Sequence, residues 1–152
     1  MTIMDLDYFR NDPTFPFFIQ YGKHDESMEI HTHHDFTELV IILEGSAIHV
    51  VGEERFPITK GDIFVISDDT PHGYEAAEHF RICNIMFQTE ELLPRHMDIW
   101  QLPGFHALFV IEPYLTRGHG FTSRLKLTTE AMATVEGQIA LMVNEYEHGL
   151  EG

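Results

Sequence analysis

Cysteine and basic residues are scarce in this chain of 152 residues. Its single cysteine, Cys83, excludes an internal disulfide framework and favours a reducing compartment such as the cytoplasm. Nine Lys and Arg residues against 25 Asp and Glu residues give a net charge of −16, which repels nucleic-acid phosphates and anionic membranes. No apolar run approaches the roughly 18 residues of a membrane span, and the N-terminus lacks the basic and apolar regions of a signal peptide. We therefore expect one cytoplasmic domain that itself binds neither nucleic acid nor membrane.

Residues 17–89 alternate between short apolar runs and turn residues. The runs rich in Val, Ile and Phe are residues 39–43, 47–51, 63–66 and 81–87. Many short strands with no intervening helix are typical of an antiparallel sandwich or barrel and argue against a parallel α/β sheet. We predict a mainly β domain over residues 17–127, with loops and short helices within 90–118 and a returning strand within 121–127.

The two ends of the chain have different patterns. Residues 1–16 contain prolines and aromatic side chains, and they predict an arm that either packs on the domain edge or covers a pocket as a lid. Residues 128–148 predict an amphipathic helix, capped by Thr128 or Thr129. Its apolar side chains recur at spacings of three and four: Met132, Val135, Ile139, Met142 and Tyr146. Periodicity alone leaves two interpretations of this seam, a face packed on the core and a dimer interface.

A cluster of histidines carries the clearest chemical signal. In an extended strand, His31 and His33 point to the same face about 6.6 Å apart, which lets both imidazoles reach one metal ion. Glu38 begins an otherwise apolar strand, and its carboxylate needs a partner such as a metal or a ligand hydroxyl if it is buried. His72 follows the apolar run at 63–66. Paired histidines also occur on solvated strands, so spacing alone leaves that interpretation open.

The order of these residues resembles the two sequence motifs of the cupin superfamily. Gly45 follows the first three of them, and Gly61 precedes the fourth. The resemblance implies a double-stranded β-helix, or jelly-roll, barrel in which three imidazoles and one carboxylate converge on a divalent transition metal (Zn, Ni, Fe, Mn, Co or Cu). The ligands that it implies are His31, His33, Glu38 and His72. The usual Gly and Asn of the second motif fall at Asp69 and Ala76, which shape turns and do not bind metal.

A wider resemblance covers residues 17–148. The segments that carry it are 38–46, 61–66, 71–74, 84–87, 102–109 and 121–127, followed by the terminal helix. Together they resemble the N-terminal sensor half of AraC-type bacterial transcription regulators, nearest the rhamnose-regulator group. The resemblance implies a barrel that binds a small effector, usually a sugar, and a helix that forms a homodimer through the apolar seam. It implies DNA binding only through a separate C-terminal helix-turn-helix domain, which these 152 residues do not contain.

Two further residues are candidates for lining a ligand pocket. Asn84 is polar within an apolar strand, and it either orients a ligand or is satisfied by backbone. Tyr74 falls near a pocket-lining position by the resemblance, the alternative being an exposed ring at the rim. Cys83 points to the opposite strand face from Asn84, which predicts a buried, inert thiol. His49 and the remaining histidines are expected at solvated or rim positions.

Two functions from different classes follow. The first is a non-enzymatic sensing and dimerisation domain, in which the four polar residues either hold a metal or hydrogen-bond the effector directly. The second is a stand-alone metal-dependent cupin enzyme, an oxygenase, isomerase or lyase, with the metal as Lewis acid or oxygen-activating centre. The wider resemblance favours the first.

Overall fold

The computed structural model describes residues 1–24, 28–111 and 125–149. Eight strands in these ranges form one sheet: β1 (Thr2–Met4), β2 (Phe17–His24), β3 (Met28–His33), β4 (Thr37–Val51), β5 (Glu54–Thr59), β6 (Asp62–Ile66), β7 (His72–Phe87) and β8 (Leu125–Lys126). Their order is β1-β3-β7-β4-β6-β8, with β2 also paired to β7 and β5 to β4. The mainly β architecture is as predicted, although residues 121–124 of the returning strand lie outside the described ranges.

Helices are few and mostly short. They are α1 (Thr89–Leu92), α2 (Pro103–His106) and α3 (Thr129–His148), with 3-10 turns at Leu6–Tyr8 and Asp98–Gln101 and a π-helical segment at Ala107–Ile111. Loops and short helices are expected at 90–118, and residues 112–118 of this range lie outside the described residues. Within the described ranges, no helix combines the length and apolar character needed to cross a membrane.

The segments 38–43 of β4 and 82–87 of β7 pair at the centre of the sheet and are largely buried on both faces. Val40, Ile42 and Ile82 belong to the interior apolar cluster, whereas the alternate residues Ile41 and Cys83 belong to a second cluster on the outer face. Helix α3 covers that outer cluster. Because both faces of these segments are covered, apolar residues follow one another along them with little polar alternation.

Strand β4 bends at Gly45 where the sequence suggested a turn. Residues 44–46 remain in the strand, and the pairing of β4 with β7 shifts register on both sides of Gly45. Gly45 has φ +74°, and a Cβ there would lie 2.3 Å from the carbonyl oxygen of Glu78. Strand β4 therefore bends through bulges at a position that requires a residue without a side chain. After the bend β4 continues to Val51, and β5 follows.

Helix α3 packs its apolar seam against the barrel of its own chain. Thr128 caps it, accepting a hydrogen bond from Ala131 N at 3.1 Å. Met132 and Ile139 are only 3% and 2% exposed, within the outer apolar cluster. The other three seam residues are partly buried against the same cluster: Val135, Met142 and Tyr146. The core-facing interpretation of the seam therefore describes this chain, and a second copy would reach only the three partly buried members.

The N-terminal arm is part of the sheet. Strand β1 pairs in parallel with β3, which places Thr2 beside His31 and Met4 beside His33. The next turn buries Leu6 completely, against Phe36 and Met86. Apolar burial and main-chain pairing thus hold the arm beside the strand that carries the paired histidines.

Candidate metal and effector site

Three of the predicted ligands converge inside the barrel. His33 lies at the end of β3, Glu38 near the start of β4 and His72 at the start of β7. One donor atom from each lies within 4.8 Å of the other two, and all three side chains are buried. Glu38 Oε2 is 3.2 Å from His33 Nε2 and 3.4 Å from His72 Nε2.

The donor set suits a divalent transition metal. Two ligand atoms that each bind one ion at about 2.1 Å, with an angle between 90° and 109°, lie about 3.0–3.4 Å apart. The two distances from Glu38 Oε2 to the histidine nitrogens fall in this range. His72 Nδ1 lies 2.8 Å from the Thr70 carbonyl oxygen. Donation from Nδ1 to that carbonyl would leave the His72 Nε2 lone pair available to a metal ion placed between it and Glu38, which is how metal-binding histidines are usually oriented. The buried Nδ1 of His33 has no hydrogen-bond partner in the described part of the chain. Two imidazoles and one carboxylate thus fit a metal that would act as a Lewis acid or anchor a ligand oxygen.

His31, the fourth predicted ligand, lies beside the three donors and outside their group. Its ring centroid is 4.3 Å from that of His72. Its Nδ1 lies 3.0 Å from the Glu29 carbonyl oxygen, and the residue is only half-buried. Burial, and secondarily the neighbouring His72, lowers the pKa of His31 below its usual value. His31 therefore lines the entrance to the site as a neutral imidazole near neutral pH.

Glu38 remains ionised despite its burial. Removal from water pushes the pKa of its carboxyl upward, but hydrogen bonds and charge interactions with His33 and His72 outweigh that effect. The net pKa lies well below the usual value for a glutamate. The Glu38 carboxylate can therefore act as a hydrogen-bond acceptor or as an anionic metal ligand.

A cavity of about 240 Å³ opens above these groups. Its walls are largely apolar and include Met4, Phe9, Met28, Phe36 and Met86. Asn84 lines the cavity at 6% exposure, and its Oδ1 has no hydrogen-bond partner among the described residues. Tyr74 also lines it and is 2% exposed, so the alternative of an exposed rim ring is wrong. Burial, and then Glu38, raises the pKa of Tyr74 well above its usual value, which keeps its hydroxyl a donor.

Sequence reasoning missed several cavity residues. Gln20 stands opposite Asn84 in the pairing of β2 with β7, and both side chains line the cavity. Thr2 and Tyr8 of the arm also line the cavity. This placement favours the interpretation of the arm as a lid over a pocket. A polar residue directly after the apolar run 17–19 was a usable signal for Gln20. The parallel pairing of the arm had no local signature.

His49 corrects another expectation. It is fully buried, stacked on Phe64 with ring centroids 4.3 Å apart and 5.4 Å from the Tyr74 ring. His49 is buried because it faces inward on the part of β4 that pairs with β7. Cys83 is buried as predicted, and burial raises the pKa of its thiol to about 12.

Comparisons with known proteins agree with this architecture. Over 79 residues the chain is 40% identical to the HTH-type transcriptional activator RhaR of Escherichia coli K12, covering 51% of this chain and 27% of that protein. Over 135 residues it is 29% identical to RhaR of E. coli O139:H28, covering 78% and 46%. The chain thus spans less than half the length of these relatives.

The observed architecture, a mainly β domain followed by a helix, is the expected one. An RmlC-like cupin from Desulfovibrio desulfuricans is similar, with a TM-score of 0.45, 21% identity and coverage of 51% of this chain and 76% of that one. The sequence model of the AraC-like ligand binding domain matches residues 17–147, from the first barrel strand to the end of α3. The chain therefore belongs to the family of AraC-like ligand-binding domains.

Proposed function

We propose that this chain is the effector-sensing part of a cytoplasmic AraC-type transcription regulator and that its cavity binds a small polyhydroxylated metabolite. The observation that carries the proposal is the unpaired Oδ1 of Asn84, a buried acceptor that faces a cavity floored by the Glu38 carboxylate. Both groups accept hydrogen bonds, so the ligand must donate them. The apolar walls require an apolar face, and a sugar ring supplies hydroxyl donors and C–H faces together.

In the absence of a bound metal, the negative charge of the site disfavours acidic metabolites, whereas a divalent ion held by Glu38 would offset that charge. Glu38 is ionised at the floor, and Glu29 lines the same cavity. An anionic ligand would be repelled by both carboxylates in a partly water-excluded space. Neutral sugars, including deoxyhexoses such as rhamnose, satisfy the acceptors without that cost. The relatives named RhaR support this ligand class.

The ligand proposal is tested by replacing Asn84 with leucine. A thermal-shift screen against pentoses, hexoses and deoxyhexoses identifies the ligand, since a concentration of about 100 Kd stabilises by about 2.7 kcal/mol. Asn84→Leu keeps the shape and removes the acceptor, so we expect the sugar-induced shift to disappear. Asn144→Leu, at an exposed position on α3, is the matched control and should keep the full shift. A full sugar-induced shift in Asn84→Leu would contradict the proposal.

We propose further that His33, Glu38 and His72 hold a divalent metal that orients the effector. The test is elemental analysis of untagged protein, with His33→Ala and His72→Ala expected to lose the metal. His34→Ala is the control, because His34 directly follows His33 but is exposed. Metal-free wild-type protein that still binds the sugar would show that the three groups hydrogen-bond the effector directly.

The whole regulator is proposed to be a homodimer that binds DNA through a C-terminal helix-turn-helix domain. Support comes from the AraC-like family and from the greater length of its relatives. Val135, Met142 and Tyr146 retain exposure at the edge of the packed seam, and Leu141 is 59% exposed on the outward face of α3. Leu141→Glu should reduce dimerisation in sedimentation experiments with little loss of stability. A wild-type monomer at high concentration would contradict the dimer proposal.

A metal-dependent enzyme is the second candidate, because the same three donors match catalytic metal sites. Turnover by metal-loaded protein that Glu38→Gln abolishes would favour the enzyme. Stoichiometric metal without turnover would favour the sensor.

A further inference from the structure

Methionine side chains are concentrated around the three-donor site. Three of the seven methionines in the chain line the cavity: Met4, Met28 and Met86. The parallel pairing of β1 with β3 places Met4 directly beside His33. The antiparallel pairing of β4 with β7 places Met86 directly opposite Glu38. Two of the methionines therefore occupy strand positions next to two of the three donors, and both side chains line the same cavity as those donors.

Pairing of this kind places a sulfur atom close to the donors. Adjacent strands lie about 4.8 Å apart, and the side chains of paired residues on one face stand side by side. The methionine side chain has three rotatable bonds, which lets its sulfur adjust to a neighbouring ion. Met86 is 3% exposed and packs with Leu6 and Phe36, and Met4 is partly buried. Both side chains are thus placed to add a sulfur ligand to the two imidazoles and the carboxylate.

A thioether is a soft ligand, and it changes which metal the site prefers. Imidazole nitrogens bind zinc, nickel, iron and copper, whereas carboxylate oxygens suit harder ions such as manganese. Thioether sulfur selects copper in its cuprous state, Cu⁺. The two imidazoles and the carboxylate alone accordingly accept several divalent metals, whereas the same donors together with sulfur favour Cu⁺.

The charge of the donor set also favours a monovalent ion. Glu38 is the single buried carboxylate among the three donors, and it is ionised. Glu29 also lines the cavity, but it is exposed, so water screens its charge. Uncompensated charge is costly beside apolar walls, because they do not solvate it. Cu⁺ bound to Glu38 gives a neutral complex, whereas a divalent ion leaves one positive charge beside Phe36 and Met86.

We propose that the sulfur atoms of Met4 and Met86 join His33, Glu38 and His72 as ligands and make the site selective for Cu⁺. The inference rests on the proposed function only in taking the three donors as a metal site. It adds two ligands that lie outside the cupin motif positions, and it selects one metal from those that the motif resemblance leaves open.

Methionine-to-leucine variants of the untagged protein test the selectivity. Leucine keeps nearly the volume of methionine and lacks the sulfur, so packing is largely retained. We expect Met4→Leu and Met86→Leu each to weaken Cu⁺ binding by about ten- to a hundredfold, the loss typical when a group around a metal is removed. Competition with bicinchoninate under argon measures this affinity. Zn²⁺ affinity in the same variants should stay nearly unchanged, because its binding relies on the imidazoles and the carboxylate.

Met132→Leu is the matched control. Met132 is also 3% exposed, but it lies in the outer apolar cluster and not in the cavity, so both affinities should stay unchanged. Unchanged Cu⁺ affinity in Met4→Leu or in Met86→Leu, with Zn²⁺ still bound, would overturn the sulfur ligands and leave the metal proposal intact. Equal losses of Cu⁺ and Zn²⁺ affinity would overturn them too, because the methionines would then only pack around the site. A wild type that binds neither ion would overturn both proposals.

X-ray absorption at the copper edge provides a second test that does not depend on affinity. Wild-type protein loaded with Cu⁺ should show sulfur among the atoms bound to the metal. The double variant that combines Met4→Leu with Met86→Leu should show nitrogen and oxygen alone. Cys83→Ser is the control for the thiol and should keep the sulfur signal, because Cys83 belongs to the outer cluster. Absence of sulfur in the wild type, or its loss in Cys83→Ser, would overturn the proposal.

Discussion

Truncation of Ile139 tests whether α3 belongs to the core of its own chain. Ile139 is 2% exposed in the cluster between α3 and the outer face of β4 and β7. Ile139→Ala removes three carbon atoms, and about 0.8 kcal/mol for each gives about 2.4 kcal/mol from transfer alone. The cavity left behind raises the expected loss to about 3–4 kcal/mol. For a chain of this length that loss lowers Tm by about 6–16 °C.

The matched control is Leu141→Ala on the same helix. Leu141 is 59% exposed, so its truncation should change stability by about 0.5 kcal/mol or less. Urea unfolding followed by circular dichroism measures both variants, each at two protein concentrations differing tenfold. A contact within one chain gives a loss that does not depend on concentration, whereas a contact between two copies shifts the midpoint with concentration. An Ile139→Ala variant as stable as the wild type, or a loss that vanishes at high concentration, would refute the packing of α3 on the barrel.

Three further predictions follow from local geometry. Cys83 should resist alkylation in the folded protein at pH 8 and react on unfolding, because its thiol is buried with a pKa near 12; rapid labelling without urea would contradict this. Gly45→Ala should lower the free energy of unfolding by well over about 1 kcal/mol, because its Cβ would strike backbone oxygen. Gly52→Ala has open space around its Cβ and should cost only the about 1 kcal/mol of a positive φ. Comparable urea midpoints of these two variants would contradict that difference. Burial lowers the pKa of His24 below 6.5, so the folded state binds fewer protons than the unfolded state and stability falls as pH drops through 6.5. His24→Gln should flatten that decline by at most about 1.4 kcal/mol per pH unit in urea titrations with chelator present; an unchanged slope would show that His24 does not contribute.

Local patterns were sufficient for much of the fold and for three residues of the candidate site. The apolar runs of β4, β6 and β7 and the 3–4 spacing of α3 follow from periodicities that neighbouring residues already display. His33, Glu38 and His72 were identified from motif order, and the barrel brings them together. The backbone conformation shows why Gly and Asn are usual at the two positions where this sequence departs from the motif. Asp69 and Ala76, which stand where Gly and Asn are usual, have φ +60° and +49°.

Long-range pairing decided the rest. The course of β4 through Gly45, the burial of His49 and the place of Gln20 opposite Asn84 all depend on registers between strands distant in sequence. The apolar seam of α3 is equally compatible with a barrel face and with a second helix, because periodicity specifies an apolar stripe and not its partner.

The amino-acid sequence by itself predicted three imidazoles and a carboxylate for the site, of which two imidazoles and the carboxylate converge, and it predicted the class of the fold. Only the tertiary structure decided that the arm pairs with β3, lines the cavity and touches α3 through the rings of Phe15 and Tyr146. The physical reason is that strand alternation and helix period act over a few residues. Contacts between segments that are distant in sequence depend on which apolar surfaces remain to be covered once the barrel has formed.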